Sequence, residues 1–351
     1  MFVRLAGRVE VNAASLNAQG TAGNLIELTK VRVLRFDGGK PRLVEVPAVT
    51  GNTIKHWHFV HFVEAYKSLG GQNLCGFCKR GIGFRSPDRN KRSEQEFVSN
   101  CAGEDVHGFL QPENQVRRES LFKASFLLPV EGIEAGFDTV THNRVVVSED
   151  GTIAGEAGMM LFKRQYSSSL YGFLMSLDLE YVGRLLYSPD HQEVIDNGER
   201  VRRGKAALLA LLPLLAGDVG ASRARALPAW RVRELLVAWS GKPIPQLTHG
   251  SYSDYVDISL STLNEYSNLL NINIEVLTFG IPEEKLKKAS KPGESNEQSK
   301  QGGRVTIVRK DAWQEIVSHL VGEYEKLRRS RPEEATSSVK SAVESAGEGE
   351  G

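Results

Sequence analysis

Three cysteines lie close together in the sequence, and their spacing is typical of ligands to a soft metal ion. Cys75 and Cys78 are separated by two residues, Cys101 follows, and His107 comes shortly after it. A close thiolate pair on a turn is the usual half of a tetrahedral zinc site, and four protein ligands leave no open position. The pattern therefore predicts a structural zinc ion. The alternative is three unrelated reduced thiols beside a packed or exposed histidine.

Two loops of small residues have the composition of phosphate-binding segments. The first reads SLNAQGTAGN, and the second reads GDVGASRARALP. Small residues let main-chain N–H groups approach phosphate oxygens, and the second loop adds Ser222, Arg223 and Arg225 as side-chain donors. An ordinary turn remains the alternative for each loop.

A third segment combines an apolar tip with cations. Met159 to Phe162 is apolar and runs directly into Lys163, Arg164 and Gln165, after a glycine-containing stretch that suggests a protruding hairpin. The apolar residues could insert between bases while the charges hold the backbone of a nucleic acid. The alternative is a strand whose apolar side packs into the core.

The histidines of the first predicted helix, His56, His58 and His61, do not form an evident metal-binding or acid–base group. Their spacing places His56 and His58 on different helix faces, which favours packing or contact with nucleic acid. The sequence also contains no nucleophile elbow, no Walker phosphate loop and no pair of carboxylates that stands out. We therefore predict that the protein is not an enzyme.

Charge is unevenly distributed along the chain, although the net charge is only +1 over 351 residues. Acidic residues gather near the C-terminus, so a near-neutral total is compatible with a basic face, and scattered solvated charge is the alternative. The clustered basic residues are Lys79, Arg80, Arg85, Arg89, Lys91, Arg92, Arg202, Arg203, Lys205, Arg223, Arg225, Arg231 and Arg233. Because no long apolar run or signal-like start is present, we expect a cytoplasmic protein that does not contact a membrane.

The elements that must position these residues alternate between strands and helices. Residues 70–119 lack periodicity, which indicates an inserted subdomain with little core of its own, and residues 283–303 are polar enough to predict a loop. Strands are predicted at 2–11, 25–36, 41–46, 120–129, 137–147, 158–162, 168–181, 230–239, 272–277 and 304–308, with a turn across Asp37-Gly38-Gly39. Helices are predicted at 53–69, 201–215, 260–270 and 311–327.

This order predicts an α+β fold with helices on one face of the sheet, in the split βαβ pattern that RNA-recognition folds use. A doubly wound nucleotide-binding fold fits less well, because neither glycine loop has the required fingerprint.

Six motifs in this order resemble the CRISPR-associated autoregulator family, also called DevR, and within it the archaeal I-A type. The resemblance covers the chain from Met1 to about Gly280. The motifs are LNAQGTAGN, VPAVTGNTIKHWH, EDVHGFL, THNRV, FKRQYSSSLYGF and GDVGASRARALP. The resemblance rests on the order of the set and not on any single motif.

The resemblance implies an RRM-like (ferredoxin-like) palm with an inserted finger subdomain and a protruding thumb hairpin. The palm would comprise residues 1–59, 120–137 and 168–280, the fingers with the zinc site 60–119, and the thumb 138–167. A flexible loop would follow at 281–303, then a C-terminal strand and helix at 304–330 and a disordered acidic tail at 331–351.

The resemblance also implies which residues line the RNA-binding groove. The family supplies the backbone subunit of type I Cascade complexes, in which many copies stack in a helical filament along one guide RNA. Mapped by motif, the groove residues are Asn17, Gln19, Gly20, Asn52, Lys55, His56, His58, His142, Asn143, Arg144, Ser222, Arg223 and Arg225. Lys163, Arg164 and Gln165 would lie at the thumb, and the wedge at its tip is the most variable part of such subunits.

The implied partners are CRISPR guide RNA, copies of the same chain, other Cascade subunits and, through the guide, target DNA. Related type III subunits cleave target RNA with an aspartate in the first glycine loop, where this chain has no aspartate and only Glu27 nearby. We therefore expect no RNase activity. Two competing hypotheses are a regulator that binds nucleic acid alone and an unrelated zinc-stapled binding module.

Overall fold

A long strand, β1 (Phe2–Ala14), lies at the centre of the largest sheet. The computed structural model describes residues 1–15, 17–83, 88–145, 150–152, 159–219, 227–289 and 303–330. β1 pairs antiparallel with β11 (Met159–Asp178) on one side and with β12 (Ala229–Ser240) on the other. β12 in turn pairs antiparallel with β13 (Ile274–Phe279), which pairs parallel with β14 (Val305–Arg309).

β11 also forms the other side of the sheet. Three strands pair antiparallel with it: β8 (Phe122–Ala124), β9 (Leu128–Pro129) and β10 (Gly136–Val145). Near its start, β11 pairs parallel with β3 (Leu25–Leu28), and β3 pairs antiparallel with β2 (Ala18–Ala22). The sequence predicted two strands here, at 158–162 and 168–181, whereas β11 is one continuous strand of 20 residues.

Helices pack on both faces of the sheet, so the prediction of helices on one face was wrong. Side chains of β1 alternate between two apolar cores because successive residues of a strand point to opposite faces. Val3 and Leu5 share a core with α1 (Gly51–Ser68), α4 (Asn197–Leu209), α5 (Leu211–Leu215) and α8 (Trp313–Arg329). Phe2 and Ala6 share the second core with α6 (Tyr255–Leu270).

Two strands, β4 (Lys30–Asp37) and β5 (Lys40–Pro47), form the predicted hairpin beside the main sheet. Gly38 and Gly39 make its turn with φ angles of 54° and 82°. Both angles lie in the left-handed region that glycine occupies without a steric penalty, and two such residues match the twist of a two-residue hairpin. The Asp37-Gly38-Gly39 turn signal is thus confirmed.

The insertion after α1 contains α2 (Glu94–Asn100), α3 (Ala102–His107), β6 (Phe109–Gln111) and β7 (Val116–Arg118). Its buried side chains, among them Cys78, Cys101 and Val106, belong to the same apolar core as α1 and α4. The insertion is therefore packed into the main body, and its buried side chains share the core beneath α1 and α4 instead of forming a core of their own.

Two predicted segments differ in the C-terminal half. The helix predicted at 201–215 is two helices, α4 and α5, which meet at Ala210; Pro213 lies in the first turn of α5, where its missing N–H is not needed. Part of the loop predicted at 281–303 is the helix α7 (Glu283–Ala289), whose Leu286 is buried in the second core. Residues 290–302 and the tail predicted at 331–351 lie outside the described residues.

Within the described residues, none of the helices combines the length and the apolar character needed to cross a lipid bilayer.

Candidate nucleic-acid groove and metal centre

The three cysteines converge at one point where the insertion meets α1. The Sγ atoms of Cys75, Cys78 and Cys101 all lie within 4.8 Å of one another, with Cys78 and Cys101 buried and Cys75 half-buried. Backbone N–H groups donate to two of the sulfurs, from Cys75 to Cys101 Sγ at 3.3 Å and from Cys78 to Cys75 Sγ at 3.4 Å. A Cβ atom on Gly103 would lie 2.8 Å from Cys78 Sγ, so a glycine is needed beside the cluster.

The thiols share their protons unequally. Hydrogen bonds from Cys101 and Cys78 lower the pKa of Cys75 to about 2, because both neighbours stabilise its thiolate. The corresponding bond to Cys75 raises the pKa of Cys101 to about 12, and the pKa of Cys78 is also raised. A cluster of three sulfurs that favours deprotonation of one member is suited to a soft divalent cation, which would replace the shared protons.

His107, predicted as the fourth metal ligand, is not part of this cluster. Its Nε2 atom instead lies 2.8 Å from Nδ1 of His58, and both rings are buried. The prediction that His107 completes the metal site is therefore not supported by the geometry, because packing of α3 against α1 turns the ring toward the core rather than toward the sulfurs.

His58 also differs from its predicted role. Its ring stacks on Phe122 at 3.7 Å between ring centres, and its Nε2 atom lies 3.0 Å from the carbonyl oxygen of Ala207. Burial lowers the pKa of His58 to about 3, since the charged form would lose its hydration. A neutral imidazole enclosed in the core cannot contact a phosphate, so the assignment of His58 to RNA binding was wrong.

The first glycine loop is tied to the start of α1. The amide of Asn17 donates to the hydroxyl of Thr29 at 2.7 Å, and the hydroxyl of Thr53 donates to Asn17 Oδ1. Thr50 caps α1, since its side chain accepts from the N–H of Thr53 at 3.2 Å. Asn17 therefore fixes the loop against the N-terminal end of the helix, where the helix dipole favours an anion.

The segment Lys163-Arg164-Gln165 of β11 meets the same loop. The N–H of Lys163 donates to the carbonyl oxygen of Asn24 at 2.7 Å, and Gln165 Oε1 accepts from the N–H of Leu28 at 3.1 Å. Gly20 is exposed in β2, and Gln19 is its neighbour there. The structure therefore brings together the first loop, the start of α1 and the Lys163-Arg164-Gln165 segment, which are far apart in sequence.

Arg164 occupies an unusual position in this region. Its backbone pairs with Ile26 of β3, and its Nε and Nη1 atoms are buried without a hydrogen-bond partner among the described residues. A guanidinium that has lost water without gaining an acceptor costs free energy, because its donors are unsatisfied. An anion bound beside it would remove that cost.

The residues predicted to lie at the base of a thumb, His142, Asn143 and Arg144, are on β10. His142 Nε2 is 3.0 Å from the hydroxyl of Tyr166, and its ring stacks on Phe162 at 5.2 Å. Asn143 is exposed, and Arg144 follows it in the strand. His142 therefore packs against β11, whereas Asn143 is accessible.

The remaining predicted groove residues of α1 are accessible to different degrees. Asn52 is exposed, while Lys55 and His56 are half-buried. Lys55 lines an open cleft with Lys123 and Ser120, which places a second cation on this side of the helix. Sequence reasoning missed Lys123, whose only signal was its position in the strand predicted to return from the insertion.

Ser222, Arg223 and Arg225 lie outside the described residues, but the residues that lead into their loop contact α1. The carbonyl oxygen of Asp218 lies 2.7 Å from Nε2 of His61, and Val219 is buried beside Ile54. The second glycine loop therefore starts beside the first half of α1. His61 was missed as its anchor, because a histidine in a helix gives no sign of a partner so distant in sequence.

Comparison with known proteins gives one family across most of the chain. A sequence model described as "CRISPR-associated negative auto-regulator DevR/Csa2" matches residues 5–260. A "CRISPR-associated protein Cas7/Cst2/DevR" of Methanocaldococcus jannaschii is 41% identical over 80% of this chain and 93% of its own length. A protein with the same description from Thermoproteus tenax is 41% identical over 80% of this chain and 87% of its own length.

More distant similarity extends to a further relative and to solved structures. The "CRISPR-associated protein Cas7/Csa2 1" of Saccharolobus solfataricus is 27% identical over 81% of this chain and 94% of its own length. A chain from a structure titled "CRISPR RNA-guided surveillance complex, pre-nicking" aligns with a TM-score of 0.47 and 13% identity, covering 92% of this chain and 100% of that one.

Proposed function

The chain belongs to the DevR/Csa2 family of CRISPR-associated proteins, and on that premise we propose that it is a non-catalytic backbone subunit of a Cascade surveillance complex. In this role several copies bind one guide RNA side by side in the cytoplasm, assemble with other Cascade subunits, and present the guide for pairing with target DNA. The protein thereby contributes to antiviral defence.

The observation that carries this proposal is the guanidinium of Arg164. Two of its donor atoms are buried without an acceptor among the described residues, at the point where the first glycine loop meets β11. Lys163, the preceding residue of β11, is exposed, and the N-terminal end of α1 is tied to the same loop through Asn17. A guanidinium with unsatisfied donors, joined by this loop to a helix N-terminus, suits an anionic backbone, and RNA phosphates would supply the missing acceptors.

The order of the central strands supports an RRM-like palm. Strands β12, β1, β11 and β8 are neighbours in that order and all antiparallel, with α1 between β1 and β8 in the chain and α4 between β11 and β12. This is a twofold split βαβ arrangement, the one used by RNA-recognition folds. The groove would then lie along the end of the palm where α1 begins and the thumb leaves the sheet.

A near-neutral chain can bind RNA in this way because only the groove needs to be basic. Affinity would come mainly from phosphate contacts, which carry no sequence information, as a subunit that must accept any guide requires. The bases, free of side-chain readout, would remain available for pairing with a target, which is how guide-dependent complexes delegate specificity.

We propose that the subunit does not cleave RNA. Glu27, the carboxylate nearest the first loop in sequence, lies in β3 opposite Gly20. In the described part of the chain it belongs to no cluster of three or more side chains able to hold a metal ion. Purified protein with guide and labelled target RNA should leave the target intact with Mg²⁺ or Mn²⁺. Cleavage that disappears in Glu27→Ala would contradict this.

We further propose that the cysteine cluster holds a structural zinc ion. Cys75, Cys78 and Cys101 provide three sulfur ligands, and the two N–H donors that face these sulfurs would stabilise their thiolates. When bound, zinc would supply a cross-link between the turn at Cys75 and the start of α3. The insertion is short of secondary structure in this region, so such a link would fix its fold.

The test of the backbone function is to purify the protein from its native cells and to sequence the nucleic acid that accompanies it. Short RNAs with repeat-derived ends, on a particle much heavier than a monomer, are the expected result. A monomer that carries no RNA and fails to bind added guide RNA would overturn the proposal. Binding as a single copy to DNA upstream of a gene would instead indicate a regulator that acts alone.

A further inference from the structure

A cleft opens at the edge of the sheet where β12 begins. Its volume is about 560 Å³, and it lies between the carboxyl end of β13, the end of α5 and the segment that leads from β14 into α8. Clefts of this size can hold a single small molecule. Because β13 and β14 are parallel, both strands end at this edge, which is where open sheets of parallel strands commonly bind ligands.

Three aromatic side chains line the cleft: Trp230 from β12, Phe279 from β13 and Trp313 from the first turn of α8. Each is half-buried, because part of it packs against the main apolar core while another part lines the cleft. The face of an aromatic ring attracts another planar ring, and side chains of this kind are the platforms on which nucleobases stack. The cleft is therefore suited to a planar aromatic ligand.

The indole of Trp230 is held in a fixed position. Its Nε1–H group donates to the carbonyl oxygen of Leu215 at 2.9 Å. Gly217 lies directly against the ring, since a Cβ atom on this glycine would be 2.5 Å from Cγ of Trp230. The φ angle of Gly217, 91°, is also one that glycine adopts without strain. A ring that is already ordered loses little conformational entropy when a ligand binds, so the cleft is preorganised.

The charges along the cleft differ from one end to the other. Arg231 and Arg233 line it on β12, and Asp311 lines it just beyond β14. β13 lies between these strands, so the two ends are separated by about 10 Å, which is two strand spacings. Arg233 pairs with Glu10, whereas the exposed Arg231 forms no ion pair in the described part of the chain. An anionic group would therefore bind near Arg231, and a hydrogen-bond donor near Asp311.

We infer that this cleft binds a free mononucleotide whose base carries an amino group. Such a molecule combines an aromatic ring, an amino donor on its edge and a phosphate at the other end. The base lies on the aromatic side chains with its amino group toward Asp311, and the phosphate contacts Arg231. None of the described groove residues lines this cleft, so the inference goes beyond the proposed function and does not depend on it.

A free nucleotide fits the charge pattern better than a strand of RNA or DNA. A strand carries a phosphate at every nucleotide and continues beyond both ends of the cleft. Glu10 at one end and Asp311 at the other would repel those phosphates. A mononucleotide has a single phosphate group, which the Arg231 end can accommodate.

Calorimetric titration of the full-length protein, freed of nucleic acid, with AMP tests the inference, and adenosine is the comparison probe. AMP should bind about 10- to 100-fold more tightly than adenosine, as expected for charge-assisted hydrogen bonds to a phosphate. Arg231→Gln should lose this advantage and still bind adenosine as the unchanged protein does. Arg304→Gln removes an exposed arginine beside the other end of β14, and this matched control should bind AMP normally. Failure of the unchanged protein to bind AMP, or equal AMP affinity in Arg231→Gln, would overturn the inference.

Tryptophan fluorescence locates the ligand. A base that stacks on an indole quenches its emission, so AMP should quench the unchanged protein and should quench Trp313→Phe less. Trp239→Phe should retain the full effect, because Trp239 lies at the far end of β12 and donates to Glu275. A guide-length RNA added to the AMP complex should leave the quenching in place. Displacement of AMP by that RNA would assign the cleft to the RNA-binding groove and would refute a separate nucleotide site.

Discussion

The imidazole Nδ1 of His58 lies 2.8 Å from Nε2 of His107, which joins α1 to α3, the last helix of the insertion. The pair is enclosed by Phe59, Phe62 and Phe122, whose rings contact one or both imidazoles. Nε2 of His58 donates to the carbonyl oxygen of Ala207, so Nδ1 of the neutral His58 ring accepts from the Nε2–H group of His107. The contact therefore ties the insertion to α1 inside the apolar core.

Acid should destabilise the protein through His58. Its pKa is about 3 in the folded chain, against about 6.5 when unfolded, because burial disfavours the charged ring. Between these values the unfolded state binds a proton that the folded state does not, so the free energy of unfolding falls as pH falls from about 6.5 toward 3. The slope due to this residue should be up to about 1.4 kcal/mol per pH unit.

The variant His58→Asn should lower the free energy of unfolding at pH 7 by about 1–3 kcal/mol and reduce this slope. Urea denaturation at several pH values between 4.5 and 7.5, a range set by that pKa shift, gives both quantities. His56→Asn, two residues away and half-buried, is the matched control and should retain the slope. An unchanged slope in His58→Asn would show that His58 is not the group that responds to acid.

Metal content should depend on the cysteines and not on His107. Protein purified without chelator is expected to contain zinc at about one ion per chain, and Cys101→Ser should lose most of it, because the cluster then has two sulfur ligands. Elemental analysis measures the ion, and thermal unfolding with and without a chelator measures its contribution to stability.

The informative control is His107→Asn, which removes a side chain outside the sulfur cluster. Folded His107→Asn protein should keep its zinc even if its melting temperature drops. Loss of zinc in this variant would restore the four-ligand site that the spacing in the sequence predicted. Equal zinc content in Cys101→Ser and the unchanged protein would mean that the cysteines do not bind metal.

Arg164 should have opposite effects on RNA binding and on stability. Arg164→Ala should weaken guide-RNA binding by about 10- to 100-fold, as expected when a charged hydrogen bond to phosphate is lost. The same change should leave the RNA-free protein equally or more stable, since it removes buried donors that have no partner among the described residues. Fluorescence anisotropy and urea denaturation measure the two effects.

The exposed Lys163 should behave as a simple phosphate contact. Lys163→Ala should weaken binding similarly for all RNA sequences and reduce the salt slope of log K by about 1. Lys67→Ala is the control, because Lys67 pairs with Glu64 near the other end of α1. If Lys163→Ala and Lys67→Ala both bind RNA as tightly as the unchanged protein, the region around Lys163 is not part of the RNA-binding groove.

Asp105 should be among the costliest positions to change. It is fully buried, accepts from Arg118 at 2.7 Å and from Arg203 at 3.0 Å, and also accepts from the N–H of Gly183. Asp105→Asn removes one of the two carboxylates that each of these buried guanidinium groups contacts, since Arg118 also pairs with Glu94 and Arg203 with Glu199, so the free energy of unfolding should fall by about 3–5 kcal/mol. Glu64→Gln, which breaks the exposed pair with Lys67, should cost less than about 1 kcal/mol. Similar costs for the two variants would contradict this account.

The sequence by itself determined the family, the class of fold and most of the secondary structure. Local signals were sufficient for these features: the two glycines of the hairpin turn require a left-handed backbone, and Thr50 provides the cap at which α1 begins. The cysteine spacing likewise indicated that Cys75, Cys78 and Cys101 meet, because a short turn brings the first two together. Each of these inferences depends on residues close in the chain or on an ordered set of motifs.

Only the tertiary structure decided where the histidines point and which surfaces remain uncovered. His58 and His107 were assigned to phosphate and to metal, but the packing of α3 on α1 buried both rings. The unpaired donors of Arg164 and the aromatic cleft where β12 begins are also invisible in the sequence. Burial is a property of everything that surrounds a side chain, and residues distant in sequence supply those surroundings; no local pattern can report it.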